Sequence, residues 1–254
     1  MERTRLSPAA YEARRQQLIA DHDSVRDQRG YDPAYDSGRR ASFARVLTSA
    51  RGVKLIHKVS NRHARGDAVK EHVASVVGFA LDPERRRLVS PVVVSSEERI
   101  LVEFLDGTIG WHYREAGVRV GCSCCEPNRA VMALIQRDPV VREAFTVMRA
   151  FDFLIENADR HAANFTLMVG GRVGAFDHTF AFEGRHGEAF DYWHLVNPFT
   201  GDQLNEWEAN LRDLTDLLDE QGPVGVELFN VKPRLPSEMM ARRIQELREN
   251  FPLA

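Results

Sequence analysis

Two consecutive glycines, Gly170 and Gly171, divide the stretch NFTLMVGGRVGAFD into two short apolar runs. A glycine pair favours a two-residue β-hairpin turn because both central positions of that turn need a positive φ. A turn centred between the two glycines would place Asn164 directly opposite Asp177 at the open end of the hairpin. Facing residues have their Cβ atoms about 4.5–5.5 Å apart. The sequence therefore predicts a hairpin that holds two oxygen-bearing side chains side by side.

The segment before this hairpin, NADRHAAN, is dense in polar groups. Its Asp159 and Asn164 have the spacing D-x-x-x-x-N of the protein-kinase catalytic loop, in which the Asp accepts a hydroxyl proton and the Asn binds metal. The pair of Asn164 and Asp177 would suit Mg²⁺, which binds one or two protein carboxylates and keeps other positions for water and phosphate. The alternative is an ionic network at a helix end, with Asp159 paired to Arg160 and Asn164 as a cap.

The segment FDFLIENADRHAANFTLM resembles the catalytic loop of HipA-like bacterial kinases and is similar to that of the phosphatidylinositol 3- and 4-kinase superfamily. GAFDHTFAF resembles the segment of type II phosphatidylinositol 4-kinases that carries a metal-binding Asp. The resemblance implies that Asp159 is the catalytic base and that Asn164 and Asp177 are the Mg²⁺ ligands. It also implies that Arg160 and His161 brace the loop.

A kinase further needs a lysine on the phosphates of ATP, held by a carboxylate of a neighbouring helix. Lys54 and Lys58 lie on one face of the predicted strand VKLIHKVS, because side chains alternate along a strand. Glu71 lies in the first turns of the predicted helix DAVKEHVASVVGFAL. In HipA-like kinases a strand ending in Ile-Lys or Val-Lys precedes a helix with an early Glu. The resemblance thus implies the pair Lys58 and Glu71, with Lys54 as the second choice, against the alternative of solvated surface charges.

The nucleotide-binding segments depart from those of ordinary protein kinases. No G-x-G-x-x-G lies upstream of Lys58. Ser42, which follows two arginines and an alanine, is a candidate phosphate contact or phosphorylation site, although a loop serine is usually only solvated. By the resemblance, the backbone from Glu103 to Leu105 in ERILVEFLDG would face the adenine.

The hydrophobic pattern predicts an α+β fold. A charged helix over 7–29 precedes a hairpin around Ala50–Gly52, an amphipathic helix, and two further strands that end before residue 106. From about residue 128 the pattern is helical and is broken once by Pro139.

The resemblance implies a two-lobed protein-kinase-like fold. Its small N-terminal lobe would be rich in strands, and its C-terminal lobe would be mostly helical. The predicted division is an N-terminal helical extension over 1–30, an N-lobe over 31–106 and a C-lobe over 107–254.

Composition restricts the classes of partner. The chain has 43% hydrophobic and 28% charged residues and a formal net charge of -3, which is typical of a soluble globular protein. We expect no direct binding to nucleic acid, since the charge provides no broad attraction to it. No run of about 18 apolar residues predicts a membrane span, and the N-terminus lacks the apolar stretch of a signal peptide. With its three Cys in one short run, the chain is expected to be cytoplasmic.

Those three cysteines, Cys122, Cys124 and Cys125, follow His112 in the sequence. Together the four residues could bind Zn²⁺, but C-x-C-C differs from the usual zinc spacing. Adjacent cysteines cannot easily point at one tetrahedral centre, so we expect reduced thiols, with a zinc protein as the alternative.

The predicted function is an ATP-dependent phosphotransferase, a serine/threonine kinase of the HipA-like type that uses ATP and Mg²⁺. The acceptor would be a hydroxyl of a protein or a small molecule, and the N-terminal residues could bind an antitoxin-like partner. A lipid or small-molecule kinase is the second choice, because the chain lacks the polybasic cluster that favours a membrane surface. A nucleotide-binding pseudokinase or regulatory module is the third.

Overall fold

The computed structural model has a mixed fold of helices and two small antiparallel sheets, which is compatible with the predicted α+β class. In the part of the chain that it describes, no helix is long and apolar enough to cross a membrane. The described residues are 5–26, 42–60, 67–83, 88–90, 92–96, 99–113, 126–157, 159–182, 192–225 and 232–251.

The first sheet has four strands in the order β1-β2-β4-β3. Its strands are β1 (Ser42–Thr48), β2 (Lys54–Ser60), β3 (Val92–Ser96) and β4 (Arg99–Glu103). The hairpin predicted around Ala50–Gly52 is confirmed, with Thr48 paired to Lys54 across the turn. Gly52 has a φ of 78°, a conformation that glycine adopts without a steric penalty.

The two faces of this sheet contact different helices, α1 (Pro8–Arg26) and α2 (Asp67–Leu81). Leu18 of α1 packs with Leu55 and Leu101 on one face. Ala68 of α2 packs with Ile100 on the other. Side chains alternate along a strand, so Lys58, which pairs with Ile100, lies on the face that α2 covers.

The second sheet has the order β5-β6-β7, and its residues Phe165, Val173 and Ala175 belong to the main hydrophobic core. Its strands are β5 (Thr108–Ile109), β6 (Phe165–Leu167) and β7 (Val173–Ala175). The helices that follow α2 are α3 (Glu126–Arg137), α4 (Pro139–Leu154), α5 (Gly201–Asp213), α6 (Thr215–Asp219) and α7 (Pro236–Asn250). Short 3-10 turns lie at Gly110–His112 and Trp193–Leu195.

The hairpin of β6 and β7 forms as predicted, but its predicted register is wrong. Phe165 pairs with Ala175 and Leu167 with Val173, so the pairing is shifted by one residue. The reason is a longer loop: the Met168 N–H donates to the Arg172 carbonyl at 2.8 Å, which leaves three residues between them. Asn164 therefore faces Phe176, and the backbone N–H of Phe176 donates to the Asn164 carbonyl at 3.2 Å. Asp177 lies one position beyond this pair.

Pro139 divides the predicted helical region into α3 and α4, as the sequence indicates. Asp138 caps α4, since its side chain accepts hydrogen bonds from the N–H groups of Val140 at 2.9 Å and Val141 at 3.2 Å. Along α4, Phe145 and Phe151 are fully buried in the main hydrophobic core.

This core joins segments from both ends of the chain. It contains Tyr11 of α1, the apolar face of α2 and residues of the C-terminal helices. Trp207 donates to the Leu81 carbonyl at 3.2 Å, and the Asn210 side chain donates to the Ala80 carbonyl at 2.7 Å. The end of α2 is thus anchored on α5. The division of the chain into an extension over 1–30, an N-lobe over 31–106 and a C-lobe over 107–254 stays a prediction.

Replacing Asp138 by Ala should lower the free energy of unfolding by about 1 kcal/mol, because the first turn of α4 loses its capping acceptor. Asp138→Asn keeps a side-chain oxygen at the cap and should retain most of the stability. Urea unfolding followed by circular dichroism measures both variants. Equal stability of Asp138→Ala and the natural protein would contradict the capping role.

Candidate active site

The ammonium group of Lys58 lies between two carboxylates that come from distant parts of the chain. Its Nζ donates to Glu71 Oε1 at 3.0 Å, to Asp177 Oδ1 at 2.9 Å and to Thr179 Oγ1 at 3.3 Å. The side chains of Lys58 and Glu71 are only 10% and 7% exposed. Strand β2, helix α2 and the segment after β7 therefore meet at one buried ion cluster.

Opposite charges decide the ionisation of this cluster. Burial by itself would lower the pKa of Lys58, but Glu71 and Asp177 outweigh burial and hold that pKa above its usual range. Burial would also raise the pKa of Glu71, but the charge of Lys58 and the contact with His178 lower it instead. The pKa of Asp177 is lowered too, since Lys58 outweighs burial and the repulsion from Glu71. One ammonium thus faces two carboxylates, an excess of negative charge that a cation can neutralise.

The Asp177 side chain is both constrained and accessible. Its backbone has a φ of 59°, a conformation that Asp tolerates better than most residues. Its side chain is 48% exposed. Thr179 Oγ1 donates to Asp177 Oδ1 at 2.9 Å, the same oxygen that accepts from Lys58. Among the described residues, the hydrogen bonds to this carboxylate are all accepted by Oδ1, so Oδ2 can bind a further ligand.

Glu71 is held from a second side by His178, which the sequence analysis did not assign. The backbone N–H of His178 donates to Glu71 Oε1 at 3.1 Å, and the ring nitrogen Nδ1 of His178 lies 2.8 Å from Glu71 Oε2. The ring is 1% exposed and packs edge-on against Phe151 at 5.3 Å. The available signal was its position directly after the predicted metal ligand Asp177.

Asp159 and Asn164 contact each other at the start of the hairpin. Asn164 Nδ2 donates to the Asp159 carbonyl at 2.8 Å and to Asp159 Oδ2 at 3.3 Å. The Asp159 side chain is 41% exposed, so its carboxylate can reach a bound molecule. Since both hydrogen bonds of the Asn164 side-chain amide are donated by Nδ2, its Oδ1 atom is the candidate metal-binding atom.

The side-chain oxygens of Asn164 and Asp177 are of the donor type that Mg²⁺ prefers. Across the described ranges, no group of three or more His, Cys, Asp or Glu side chains is arranged to hold a metal ion. Mg²⁺ does not need such a cage, because it takes one or two carboxylates and fills its shell with water and phosphate oxygens. Asn164 and Asp177 could supply the protein's share of such a shell.

Arg160 lies under the loop and joins it to the hairpin. Its side chain is 1% exposed and donates to Asp152, with Nε at 3.1 Å and a terminal nitrogen at 2.8 Å. The other terminal nitrogen donates to the carbonyls of Asn164 and Phe176. The partner of Arg160 is thus Asp152 rather than Asp159, which disfavours the alternative of an Asp159–Arg160 pair. Asp152 neutralises a buried charge that would otherwise be costly.

Asp152 is a residue that the sequence analysis missed. It is buried in α4 and also accepts hydrogen bonds from Asn157 Nδ2 at 3.1 Å and from the Tyr192 hydroxyl at 3.3 Å. Burial and the neighbouring Asp152 charge hold the pKa of Tyr192 well above its usual range. A carboxylate within the apolar segment FDFL was the available signal, because such a group needs partners when buried.

His161 lies at the rim of the site. Its side chain is 42% exposed, and Nε2 lies 3.7 Å from Asp159 Oδ2. Its Nδ1 accepts from the Ala163 N–H at 3.2 Å, which shapes the turn before Asn164. His161 therefore adjoins Asp159, while its predicted bracing role stays a prediction.

The other predicted nucleotide residues lie outside the ion cluster. Lys54 is 51% exposed and lies 3.8 Å from Asp106, so it does not reach Glu71. Leu105 packs against β7: a Cβ built on Gly174 would come within 2.6 Å of its Cδ1 atom. Glu103 ends β4, and its carbonyl accepts from the Ser90 hydroxyl at 2.9 Å.

The remaining sequence candidates are separate from this site. Ser42 is the first residue of β1, and its Cα pairs with that of Ser60. His112 is exposed. Cys122, Cys124 and Cys125 lie outside the described residues.

No protein-family model matches this sequence. A search of the curated proteins also gave no match.

Replacing Glu71 by Gln should change how stability depends on pH. Because the pKa of Glu71 in the folded protein lies below the ordinary 4.5, this carboxylate stabilises the fold above that pH and loses its effect as the pH falls. The variant should be about 2 kcal/mol less stable than the natural protein near neutral pH, because Lys58 loses one buried partner. The difference should shrink below about pH 4.5.

Urea unfolding from about pH 7 to about pH 3 measures this dependence. Glu12→Gln is the control, because Glu12 is 43% exposed and its ion pair should contribute little. A stability difference that stays constant through the acid range would contradict the predicted charge state of Glu71.

Proposed function

We propose that this protein is an ATP-dependent phosphotransferase that transfers the γ-phosphoryl group of ATP to a hydroxyl, in the manner of HipA-like serine/threonine kinases. The observation that supports it best is the convergence of Lys58, Glu71 and Asp177. Kinases use a lysine held by a helical Glu, together with a metal-binding Asp, to hold and polarise ATP. The contact between Asp159 and Asn164 adds the arrangement of base and second metal ligand that the reaction needs.

Lys58 would bind the phosphates of ATP. Its raised pKa keeps the ammonium charged at neutral pH, as binding to an anion requires. Glu71 would hold that ammonium in place, since both side chains are almost fully buried and 3.0 Å apart. Lys54, which is half exposed, would have no part in this contact.

Asn164 and Asp177 would hold Mg²⁺. The bound ion would neutralise charge on the phosphates and help to align them. Asp177 offers an accessible carboxylate whose position is fixed by Lys58 and Thr179. Asn164 is fixed by Asp159, so both ligands are positioned by contacts that already exist in the protein.

Asp159 would orient the acceptor hydroxyl and accept its proton. The acceptor oxygen would then form a bond to the γ-phosphorus as the bond from that phosphorus to the bridging oxygen of ADP breaks. The half-exposed carboxylate suits this role, because it is accessible while its Oδ2 atom is held by Asn164. Most of the rate enhancement would come from positioning and electrostatic stabilisation.

A two-lobed, kinase-like arrangement would fit these positions. The four-stranded sheet and α2 carry Lys58 and Glu71, which belong to the predicted N-lobe. The predicted C-lobe carries Asp159, Asn164 and Asp177. In this proposal ATP binds where the two sets of residues meet.

Incorporation of labelled phosphate from ATP tests the proposal. The natural protein, supplied with Mg²⁺ and a mixture of Ser- and Thr-containing peptides, should label itself or a peptide. Asp159→Asn and Asp177→Asn should each lower the rate about 10²- to 10⁴-fold, because they remove the base and a metal ligand. Asp106→Asn is the matched control, since Asp106 is exposed and lies next to Lys54.

Transfer that persists in both site variants would contradict the assigned roles. Binding of ATP with Mg²⁺ but without transfer would instead favour a nucleotide-binding regulatory module. If ATP does not bind to the natural protein at all, the ion cluster has only a structural role.

A further inference from the structure

Both oxygens of the Glu71 carboxylate are occupied, and they join two different parts of the fold. Oε1 accepts from Lys58 Nζ at 3.0 Å and from the backbone N–H of His178 at 3.1 Å. Oε2 lies 2.8 Å from His178 Nδ1. Since an ionised carboxylate can only accept, Nδ1 carries the hydrogen of this bond. Glu71 therefore ties Lys58 of β2 to the segment that carries Asp177.

Among the described residues, the bond between His178 Nδ1 and Glu71 Oε2 is the polar contact that orients the imidazole ring. The ring is 1% exposed and packs edge-on against Phe151 of α4. Its Nε2 atom is buried and has no hydrogen-bond partner within the described residues. Burial of an unpaired ring nitrogen is unfavourable, so packing alone does not explain why a histidine occupies this position.

A second contact links the same two elements. Lys70, the neighbour of Glu71 on α2, donates to the carbonyl of Thr179 at 2.7 Å. Consecutive residues of α2 thus hold consecutive residues of the segment after β7. The end of α2 is anchored separately on α5 through the Leu81 carbonyl. Movement of this part of α2 away from Asp177 would break the contacts of Glu71 with His178 and of Lys70 with Thr179 together.

We propose that His178 is a positioning residue that latches Glu71 to the segment after β7, so that the pair of Lys58 and Glu71 is assembled before any nucleotide binds. The role deepens the proposed function and rests on it for its catalytic consequence. In that context, the lysine that meets the phosphates is held ready, and ATP does not have to draw α2 into place. Preorganisation of this kind improves binding because less ordering accompanies it.

Two substitutions separate the hydrogen bond of His178 from its packing. His178→Phe keeps a ring against Phe151 and removes the Nδ1 donor. His178→Asn keeps a side-chain N–H near the position of Nδ1 and removes the ring. The latch requires that Phe disturbs Lys58 and Asn does not, whereas a packing role requires the reverse.

The reactivity of Lys58 is the direct readout and needs no ATP. The full-length protein without nucleotide is treated briefly with isotope-labelled acetic anhydride, and the modified lysines are quantified by peptide mass spectrometry. Lys54 lies on the same strand, is 51% exposed and serves as the internal reference. Lys58, which is 10% exposed and bonded to Glu71, should react far more slowly in the natural protein.

In His178→Phe the ratio of Lys58 to Lys54 modification should rise about tenfold, the factor that one hydrogen bond to a charged group supplies. In His178→Asn the ratio should stay close to the natural value. Thermal unfolding identifies variants that are not folded under the assay conditions. If His178→Phe does not fold, His178→Met takes its place, because it also fills the site without a polar hydrogen.

An unchanged ratio in the folded Phe or Met variant would overturn the latch. An equal rise in the Phe and Asn variants would overturn it as well, because the side-chain N–H that Asn retains would then have no effect. These results hold whether or not the protein transfers phosphate, so failure of the latch and failure of the proposed function are distinguishable. If transfer occurs, His178→Phe should raise the KM for ATP about tenfold and change kcat less, and His178→Asn should restore the KM.

Discussion

The ammonium of Lys58, held between the carboxylates of Glu71 and Asp177, is the interaction on which the site depends. A buried charge without a partner is strongly destabilising, so the buried groups Lys58 and Glu71 require each other. The three residues come from β2, α2 and the segment after β7. Their mutual attraction therefore fixes how the four-stranded sheet, its covering helix and the short hairpin approach one another. Their excess of negative charge also makes the cluster suitable for a cation and the phosphates that accompany it.

A second buried ion pair repeats the same principle beneath the loop. Asp152 of α4 neutralises Arg160, and Arg160 in turn holds the carbonyls of Asn164 and Phe176. Charged groups that position the site are thus almost fully buried, whereas the carboxylates that would meet substrate, Asp159 and Asp177, are 41% and 48% exposed. This division allows the exposed groups to act on a ligand while the buried groups keep them in place.

Local patterns in the sequence predicted the elements well, and the errors concern hydrogen-bond partners that the residue types alone do not reveal. Alternation along β2 predicted the shared face of Lys54 and Lys58, and Pro139 marked the break before α4. The predicted register of the second hairpin was wrong because the hydrogen bond from the Met168 N–H to the Arg172 carbonyl encloses three residues. The glycine pair alone does not reveal this longer loop. His178 and Asp152 could not be assigned because the partners that give them meaning lie elsewhere in the chain. The choice of Lys58 over Lys54 came from the family resemblance, and the structure brings Lys58 alone of the two to Glu71.

Calorimetric titration with ATP, comparing Lys58→Met with Lys54→Met, measures whether the ion cluster around Lys58 holds the nucleotide. The two lysines lie on one face of one strand, but only Lys58 contacts Glu71 and Asp177. We expect ATP to bind to the natural protein in the presence of Mg²⁺ and much more weakly when the metal is chelated. We also expect Lys54→Met to bind ATP normally and Lys58→Met, while still folded, to bind ATP at least about tenfold more weakly. Equal binding by the two lysine variants, or binding that is indifferent to Mg²⁺, would contradict this role of the ion cluster.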